Sequence, residues 1–158
     1  MVSVATITVS DRCFNEQQED LSGPAIKGLL PETDFDVREQ IVVADDEDAI
    51  ARELIRLSDE ARCDVIFTTG GTGLGPRDVT PEATAAVCSK LVPGISEAMR
   101  VEGLSKTRNA MLSRGVTGIR GSTLIINLPG NPKAVAECLG VLQGVVPHAM
   151  KMMRGGGH

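Results

Sequence analysis

The sequence of 158 residues contains no tryptophan or tyrosine, and only 2% of its residues are aromatic. The hydrophobic core must therefore be aliphatic, and the aromatic platforms on which single-stranded nucleic acids stack are nearly absent. The formal net charge of −5 also argues against a nucleic-acid-binding protein, because such proteins present basic surfaces to the phosphate backbone. We therefore expect no nucleic-acid partner.

Long apolar runs are absent as well, since no stretch approaches the roughly 18 to 20 apolar residues of a membrane span. The first residues, MVSVATITVSDR, lack the basic segment and apolar run of a signal peptide. The four cysteines form no C-x-x-C pair, which is typical of reduced thiols rather than of a disulfide framework or a zinc site. We expect a cytoplasmic protein that has no membrane partner.

Histidine is scarce, because only His148 and His158 occur and both lie near the C-terminus. Mechanisms that place a histidine base beside a serine or cysteine nucleophile are therefore poorly supported. Phosphoryl or nucleotidyl transfer does not need such a base. An attacking phosphate is already ionised, and positioning together with electrostatics does most of the work.

Along the sequence, apolar runs typical of strands alternate with segments whose apolar residues have helical spacing. Apolar, β-branched runs at 2–9, 35–43 and 63–71 predict buried strands, and two more extended runs meet at Gly121-Ser122. This alternation predicts an α/β fold of three layers, with a mostly parallel central sheet and helices on both faces. We expect a single domain over residues 1–158, with a disordered tail at 154–158.

Helices are predicted between these strands from apolar spacing and from proline at the first helical position. The last of them should begin at Asn131-Pro132 and continue through Val146. The other predicted helices lie at about 24–30, within 44–62, after Thr80, and from 93 to about 104.

Two glycine-rich turns follow predicted strands, TTGGTG at 68–73 and NLPGNP at 127–132. Each leads towards a helix start, where free N–H groups and the helix dipole suit a phosphate. Ligands of open α/β sheets bind beyond the carboxyl ends of strands, so the pair predicts a phosphorylated ligand. Either turn alone could equally be a tight turn that needs glycine at positive φ. A dinucleotide fingerprint fits poorly, because Pro76 stands at its sixth position.

Acidic residues accompany both the second strand and the first glycine turn. Asp45 and Asp46 follow the strand, and either could cap the next helix. Thr80 is predicted as the N-cap of its helix, which leaves Asp78 projecting from the glycine loop beside Arg77. A carboxylate close to bound phosphates is best explained by Mg²⁺ between them. These residues therefore predict a metal-bound nucleotide.

The stretches TTGGTGLGPRDVTPEAT and AMLSRGVTGIRGSTLIINLPGNPKAVAEC, with VSD at 9–11, resemble the molybdenum-cofactor biosynthesis family. This family includes the bacterial MogA and MoaB proteins, the gephyrin G domain and the plant Cnx G domain. The resemblance covers nearly the whole chain and implies a fold like that of molybdenum cofactor-binding domains. It also implies molybdopterin adenylyltransferase activity, in which AMP passes from Mg-ATP to the terminal phosphate of molybdopterin and pyrophosphate is released.

The resemblance also implies which residues form the site. The functional carboxylates of the family match Asp45 and Asp78, which would also hold Mg²⁺. Ala44 stands where family members commonly carry proline, so Asp46 remains an alternative to Asp45. The other implied nucleotide- and pterin-binding residues lie in or beside the quoted motifs. They are Ser10, Asp11, Thr69, Gly70, Gly71, Thr72, Gly73, Arg77, Ser113, Asn127, Pro129, Gly130, Asn131 and Lys133.

The partners implied by the resemblance are molybdopterin, ATP and further copies of the chain in a homotrimer or a hexamer. Docking to a molybdenum-insertion protein is also implied. The alternative to the enzyme is a non-catalytic molybdopterin-binding or scaffold protein, because the family also contains weakly active members. The presence of both Asp45 and Asp78 favours the enzyme.

Overall fold

The computed structural model describes residues 1–157, which form a six-stranded sheet with helices on both faces. The strand order is β2-β1-β3-β6-β5-β4. The first four strands in this order run parallel, whereas β5 is antiparallel to β6 and to β4. The mostly parallel sheet is therefore confirmed. The strands are β1 (Val2–Val9), β2 (Phe35–Val43), β3 (Val65–Thr69), β4 (Lys90–Leu91), β5 (Thr117–Arg120) and β6 (Thr123–Leu128).

Helices connect most of these strands. A π-helical segment, Arg56–Glu60, extends the third helix, and a 3₁₀ segment, Arg108–Leu112, follows the fifth. The α-helices are α1 (Asp11–Phe14), α2 (Ser22–Leu29), α3 (Glu47–Ile55), α4 (Thr80–Val87), α5 (Pro93–Leu104), α6 (Pro132–Leu142) and α7 (Val146–Met153).

Two hydrophobic cores lie on opposite faces of the sheet, because alternate residues of a strand point to opposite faces. Val65 and Phe67 of β3 belong to the core beneath α2, α5, α6 and α7. Ile66, between them, belongs to the core beneath α3 and α4. The central strands are buried on both sides, and the predicted three-layer arrangement is confirmed.

The last predicted helix is not continuous. It ends at Leu142, and residues 143–145 separate it from α7. Gly144 lowers helix propensity, and Pro147 lacks the N–H that would bond the carbonyl of Gln143 in an unbroken helix. The prediction of one helix through Val146 was therefore wrong.

The extended run predicted before Gly121 is also shorter than expected. Its first residues fall in the 3₁₀ segment, whose start is capped by Thr107 accepting a bond from the Asn109 N–H. Only Thr117–Arg120 forms a strand.

The C-terminal residues follow α7 directly. The Arg154 guanidinium contacts Asp64 at 2.8 Å, and the N–H groups of Gly155 and Gly156 donate to carbonyls of α7. Disorder of 154–158 stays a prediction, and its last residue, His158, lies outside the described residues. Within residues 1–157, no helix is long and apolar enough to cross a bilayer.

Candidate active site

The sheet order places β1 between β2 and β3, so the connections that leave β1 and β3 diverge at their carboxyl ends. Such a switch point is where open α/β sheets bind ligands. Ser10 follows β1 here, Asp45 lies just beyond β2, Gly70 follows β3 and Pro129 follows β6. The predicted site residues therefore gather along one edge of the sheet.

The glycine turn after β3 has a backbone that only glycine adopts readily. Gly70 has a φ of +98° and Gly71 a φ of +67°. A Cβ at Gly70 would also collide with the carbonyl oxygen of Val9. The N–H groups of Gly71, Thr72 and Gly73 donate to no backbone acceptor within residues 1–157. The turn thus leaves a row of donors available at the carboxyl end of β3.

The two glycine turns are in direct contact. The Gly70 N–H donates to the Leu128 carbonyl at 3.2 Å, and the Thr69 hydroxyl donates to the Pro129 carbonyl at 2.7 Å. A Cβ on Gly130 would lie only 3.3 Å from the Cα of Gly70. The turns therefore belong to one site.

Asp11 and Asp45 are joined by reciprocal hydrogen bonds. The Asp11 N–H donates to Asp45 Oδ2 at 2.9 Å, and the Asp45 N–H donates to Asp11 Oδ1 at 3.0 Å. Arg77 forms a bidentate pair with Asp11, at 3.0 and 2.9 Å. Asp46 instead caps α3 by accepting the Ala49 N–H at 2.8 Å. Of the two candidate acids, Asp45 is the one that faces the glycine turn.

Thr80 does not cap α4, contrary to the sequence prediction. The N-cap position is Val79. The Thr80 hydroxyl donates to the Gly70 carbonyl at 3.0 Å, and the Thr80 N–H donates to the Gly71 carbonyl at 3.2 Å. The capping prediction was wrong because this threonine is held by the folded glycine turn, which the local sequence pattern does not reveal.

Asp78 contacts its own loop rather than Arg77. Its Oδ2 accepts the Gly75 N–H at 2.9 Å, and its Oδ1 accepts no hydrogen bond within residues 1–157. A Cβ on Gly73 would lie 2.9 Å from Oδ2, so the loop closes tightly around this carboxylate. One oxygen of Asp78 thus braces the loop, and the other remains available.

Asp11, Asp45 and Asp78 form an acidic cluster, in which the pKa values of Asp11 and Asp45 are shifted in opposite directions. The hydrogen bond from Arg77 lowers the pKa of Asp11. Burial raises the pKa of Asp45 above its ordinary value, and repulsion from Asp11 and Asp78 adds to this shift. Crowded carboxylates of this kind are stabilised by a cation.

The donor set of the acidic cluster suits Mg²⁺, which is commonly held by one or two carboxylates together with substrate phosphates and water. Within residues 1–157, no three His, Cys, Asp or Glu side chains gather as a metal site. Asp45 and Asp78 could therefore hold the ion only with oxygens that a substrate supplies.

A cavity of about 360 Å³ opens between α5, the 3₁₀ segment and α6, with the NLPGNP turn in its wall. Arg100 and Lys106 also line it, although the sequence predicted no role for either. The only signal for Arg100 was a basic side chain next to the buried Met99 on α5. The predicted residues that line this cavity are Ser113, Asn127, Pro129, Asn131 and Lys133.

Asn127 is buried at the wall of this cavity, and its side chain is already hydrogen-bonded. Its Nδ2 donates to the hydroxyls of Thr68 and Thr84, both at 2.9 Å. Its Oδ1 accepts the Val116 N–H at 3.1 Å. The side chain holds β3, β6 and α4 together, and its role as a ligand-binding residue stays a prediction.

A smaller cavity of about 170 Å³ lies over the carboxyl ends of β1 and β3. The sequence had not singled out Asp20 and Ser22, which also line it. The Ser22 hydroxyl donates to the Gly130 carbonyl at 2.7 Å, and Asp20 accepts the Thr8 hydroxyl at 2.8 Å. The predicted residues at this cavity are Ser10, Thr69, Gly70 and Gly130.

Arg114 lies within a quoted motif, but the sequence predicted no role for it. Its Nε donates to the Gly73 carbonyl at 2.7 Å and its Nη2 to the Asp78 carbonyl at 2.8 Å. Its backbone N–H donates to the Thr72 carbonyl at 2.9 Å, and its guanidinium pairs with Glu82 at 2.9 to 3.1 Å. The loop that carries Asp78 is thus attached to the segment before β5.

These features define an α/β protein that carries backbone N–H groups, unpaired within residues 1–157, and two acidic side chains at the switch point of its sheet, with a ligand-sized cavity walled in part by the NLPGNP turn. A family model described as "probable molybdopterin binding domain" matches residues 5–148. The chain therefore belongs to the molybdopterin-binding family of MogA and MoaB that its sequence motifs resemble.

Relatives of known sequence cover nearly all of the chain. It is 43% identical to the molybdopterin adenylyltransferase of Helicobacter pylori strain J99, over 98% of this chain and 89% of that protein. It is 35% identical to the molybdopterin adenylyltransferase of Escherichia coli K12, over 96% and 85% of the two chains.

Solved structures agree with this assignment. The molybdopterin biosynthesis enzyme MoaB of Thermus thermophilus superposes with a TM-score of 0.93 at 44% identity, over 98% of both chains. The tungsten cofactor synthesizing protein MoaB of Pyrococcus furiosus superposes with a TM-score of 0.89 at 30% identity, again over 98% of both chains.

Proposed function

We propose that this chain is a molybdopterin adenylyltransferase that transfers AMP from ATP to the terminal phosphate of molybdopterin. The observation that carries the proposal is the meeting of Asp45, Asp78 and the N–H groups of residues 71–73 at one edge of the sheet. This edge lies beside a cavity large enough for a small ligand. The relatives named as adenylyltransferases match this chain in sequence over 89% and 85% of their own length.

Molybdopterin is proposed to occupy the 360 Å³ cavity. Arg100, Lys106 and Lys133 line it, and such cations suit an anionic, phosphorylated ligand. Asn131 and Pro129 bring the NLPGNP turn to the same wall, and this turn contacts the first glycine turn. The phosphate is proposed to lie at that end, towards the first glycine turn.

ATP is proposed to bind over the first glycine turn, with the smaller cavity at Ser10, Thr69 and Gly130 beside it. An oxygen of the molybdopterin phosphate attacks the α-phosphorus, and the bond from that phosphorus to the bridging oxygen breaks to release pyrophosphate. The nucleophile is already ionised, so no side chain has to remove a proton. The chain's own contribution is to align both phosphates and to donate N–H bonds to them.

ATP is proposed to react as its Mg²⁺ complex, with Asp45 and Asp78 as the protein ligands. When bound, the cation neutralises phosphate charge. The available oxygen of Asp78 supports this role. Burial and the neighbouring carboxylates of Asp11 and Asp78 raise the pKa of Asp45, and a cation would offset both effects.

Further copies of the chain are proposed to assemble with it into a homotrimer, or into a hexamer of two trimers, in the cytoplasm. Exposed apolar side chains support an interface, because surface patches of this kind often mark protein contacts. Docking to a molybdenum-insertion protein is proposed as well. The exposed apolar residues of β4, α5 and the 3₁₀ segment are Leu91, Val101, Leu104, Met111 and Leu112.

The test is to incubate the purified protein with molybdopterin and Mg-ATP and to follow adenylylated pterin and pyrophosphate by mass spectrometry. We expect both products in equal amounts. Saturable pterin binding without either product would instead support the non-catalytic binding or scaffold protein. Protein that neither binds molybdopterin nor forms product would contradict both functions.

A further inference from the structure

The loop from Gly71 to Val79 carries Asp78 but has few attachments of its own. Leu74 at its tip is 65% exposed. The bond from the Gly75 N–H to Asp78 is internal to the loop, and Arg77 reaches Asp11 through an exposed pair. Exposed pairs contribute little to holding a backbone in place. The ends of the loop are held by the Thr80 N–H, which donates to the Gly71 carbonyl, and by Val79, which packs against the core beneath α3 and α4. The segment between them, which ends at Asp78, therefore depends on contacts from elsewhere in the chain.

Arg114 supplies such contacts from a single planar group. Its guanidinium donates to the carbonyls of Gly73 and Asp78, five residues apart on the loop, and to both oxygens of Glu82 on α4. A guanidinium offers five donors in a fixed plane, whereas the ammonium of lysine is a point charge that cannot span them. These bonds fix both ends of the loop segment relative to α4.

The flanking residues connect the same segment to the larger cavity. Ser113 and Gly115 line that cavity, and Arg100 donates to their carbonyls at 3.4 and 3.0 Å. Arg114 lies between them and points to the opposite side, into the glycine loop. One short stretch of backbone thus forms the wall of the cavity and holds the loop of Asp78.

We propose that Arg114 is a positioning residue, which holds Asp78 and the N–H groups of residues 71–73 at a fixed position relative to a ligand in the larger cavity. It touches neither substrate in this arrangement and acts through the loop. The inference rests on the proposed adenylyltransferase function, because the loop is taken to align the phosphates of that reaction. Misplacing a reacting group by about 1 Å can cost on the order of 10²-fold in rate.

The test compares Arg114→Gln and Arg114→Lys with a matched control, Arg120→Gln. Arg120 also forms a bidentate pair, with Asp59 at 3.1 and 2.7 Å, and also donates to a backbone carbonyl, that of Val87 at 2.9 Å. It lies on β5, outside the proposed site. The control therefore measures the loss of a similar arginine that has no contact with the glycine loop.

For Arg114→Gln we expect kcat to fall roughly 10- to 100-fold, with molybdopterin affinity within about threefold of wild type. Lysine should not restore the rate. The amide resonances of Gly71, Gly73 and Gly75 should shift in the absence of any ligand, and the Gly75 N–H, which is bonded to Asp78, should exchange with solvent faster. Arg120→Gln should leave both the rate and these resonances unchanged.

Equal losses in Arg114→Gln and Arg120→Gln would overturn the proposal, and so would full rescue by lysine. If Arg114→Gln does not fold, Glu82→Gln replaces it, because this variant weakens the guanidinium anchor and leaves the arginine in place. It should speed amide exchange in the loop and lower kcat several-fold, and unchanged values would contradict the inference. If the wild type makes no adenylylated pterin, the proposed function fails, whereas the amide measurements still decide whether Arg114 holds the loop.

Discussion

Asp78 is the residue on which the proposed chemistry depends most directly. Asparagine at this position keeps an oxygen that can accept the Gly75 N–H, so the loop contact survives. It removes the negative charge that a hard cation prefers. We expect Asp78→Asn to lower adenylylation by a factor on the order of 10² or more, while molybdopterin affinity stays largely intact.

A purely structural role for Asp78 predicts another pattern. In that case Asp78→Asn would lower the thermal midpoint, and pterin binding and turnover would fall together. Thermal midpoint, pterin affinity and Mg-ATP turnover of the one variant separate the two roles. A stable and fully active Asp78→Asn protein would contradict both.

Asp45 is expected to reduce the stability of the folded protein at neutral pH. Its pKa is raised in the folded state, so the folded protein binds a proton more tightly there than the unfolded chain does. The contribution of Asp45 to the free energy of unfolding is therefore greatest below its ordinary pKa of 3.8. It is lost as the pH rises through the higher pKa of the folded state. Asp45→Asn removes the cost and keeps an acceptor for the Asp11 N–H.

The measurement is the thermal midpoint of Asp45→Asn and wild type at about pH 7 and about pH 4. We expect the variant to melt higher by roughly 1 to 3 °C at the upper pH, with the difference shrinking at the lower pH. Its adenylylation should fall, as is common when a charged active-site residue is removed. A variant that melts lower at about pH 7 would show that the carboxylate stabilises the fold.

Lys133 provides a cation at the wall of the larger cavity. Alanine should weaken molybdopterin binding roughly tenfold, which corresponds to about 1.4 kcal/mol, as measured by titration calorimetry. The start of α6 should not change, because the bond to Asn131 comes from the backbone N–H of Lys133. Lys27→Ala, on α2 and outside the cavity, is the control. Unchanged affinity would remove this lysine from the site but not the NLPGNP backbone.

Single residues were predictable where the local pattern determined their position. The glycine turn and Asp78 follow from the sequence around them, and resemblance to the family added Ser10 and Ser113. The choice between Asp45 and Asp46 required the fold, because only the folded chain shows Asp46 capping α3. The contacts of Arg114 join residues about 40 positions apart, and no local pattern indicates them.

At the level of elements, the start of α6 combines a cap with the proposed site. Asn131 accepts the N–H groups of Lys133 and Ala134 at 2.8 and 3.4 Å. Asn131→Ala should cost about 1 kcal/mol, seen as a thermal midpoint lower by about 2 to 4 °C. Asn131→Asp should keep the cap and so the stability, but it should weaken binding of an anionic ligand. Equal stability of the alanine variant would show that the cap contributes nothing.

Element boundaries were predictable where burial and turn residues agree. The predicted limits of β1, β2 and α5 are the observed ones, because β-branched runs or a leading proline mark them. The break at residues 143–145 was not predicted, because buried apolar side chains continue on both sides of it. The 3₁₀ segment was not predicted, because β-branched residues follow it and the whole stretch was interpreted as extended. Apolar spacing alone does not distinguish one helix from two successive helices that bury their apolar faces in the same core.

At the scale of the whole molecule, the sequence predicted the layers, and the position of the site followed from the order of the strands. The β1/β3 switch point brings together loops that lie about 60 residues apart in the chain. The depth and lining of the 360 Å³ cavity could not be predicted, because they depend on how α5 and α6 pack side by side. Assembly is the remaining property at this scale, and the exposed apolar side chains of β4, α5 and the 3₁₀ segment bear on it.

Apolar side chains are exposed to water on β4, α5 and the 3₁₀ segment, and Val101 is 67% exposed. Water-exposed apolar area of this kind is stabilised by burial against another copy. We expect light scattering to give about 50 kDa, three times the chain mass of 16.7 kDa, or twice that value for a hexamer.

Val101→Asp should reduce the mass towards the monomer, because association would bury an unpaired charge. Val145→Asp, at an exposed position between α6 and α7, is the control and should leave assembly unchanged. A strict monomer at micromolar concentration would contradict the trimer, and a trimer that tolerates Val101→Asp would place its interface elsewhere on the molecule.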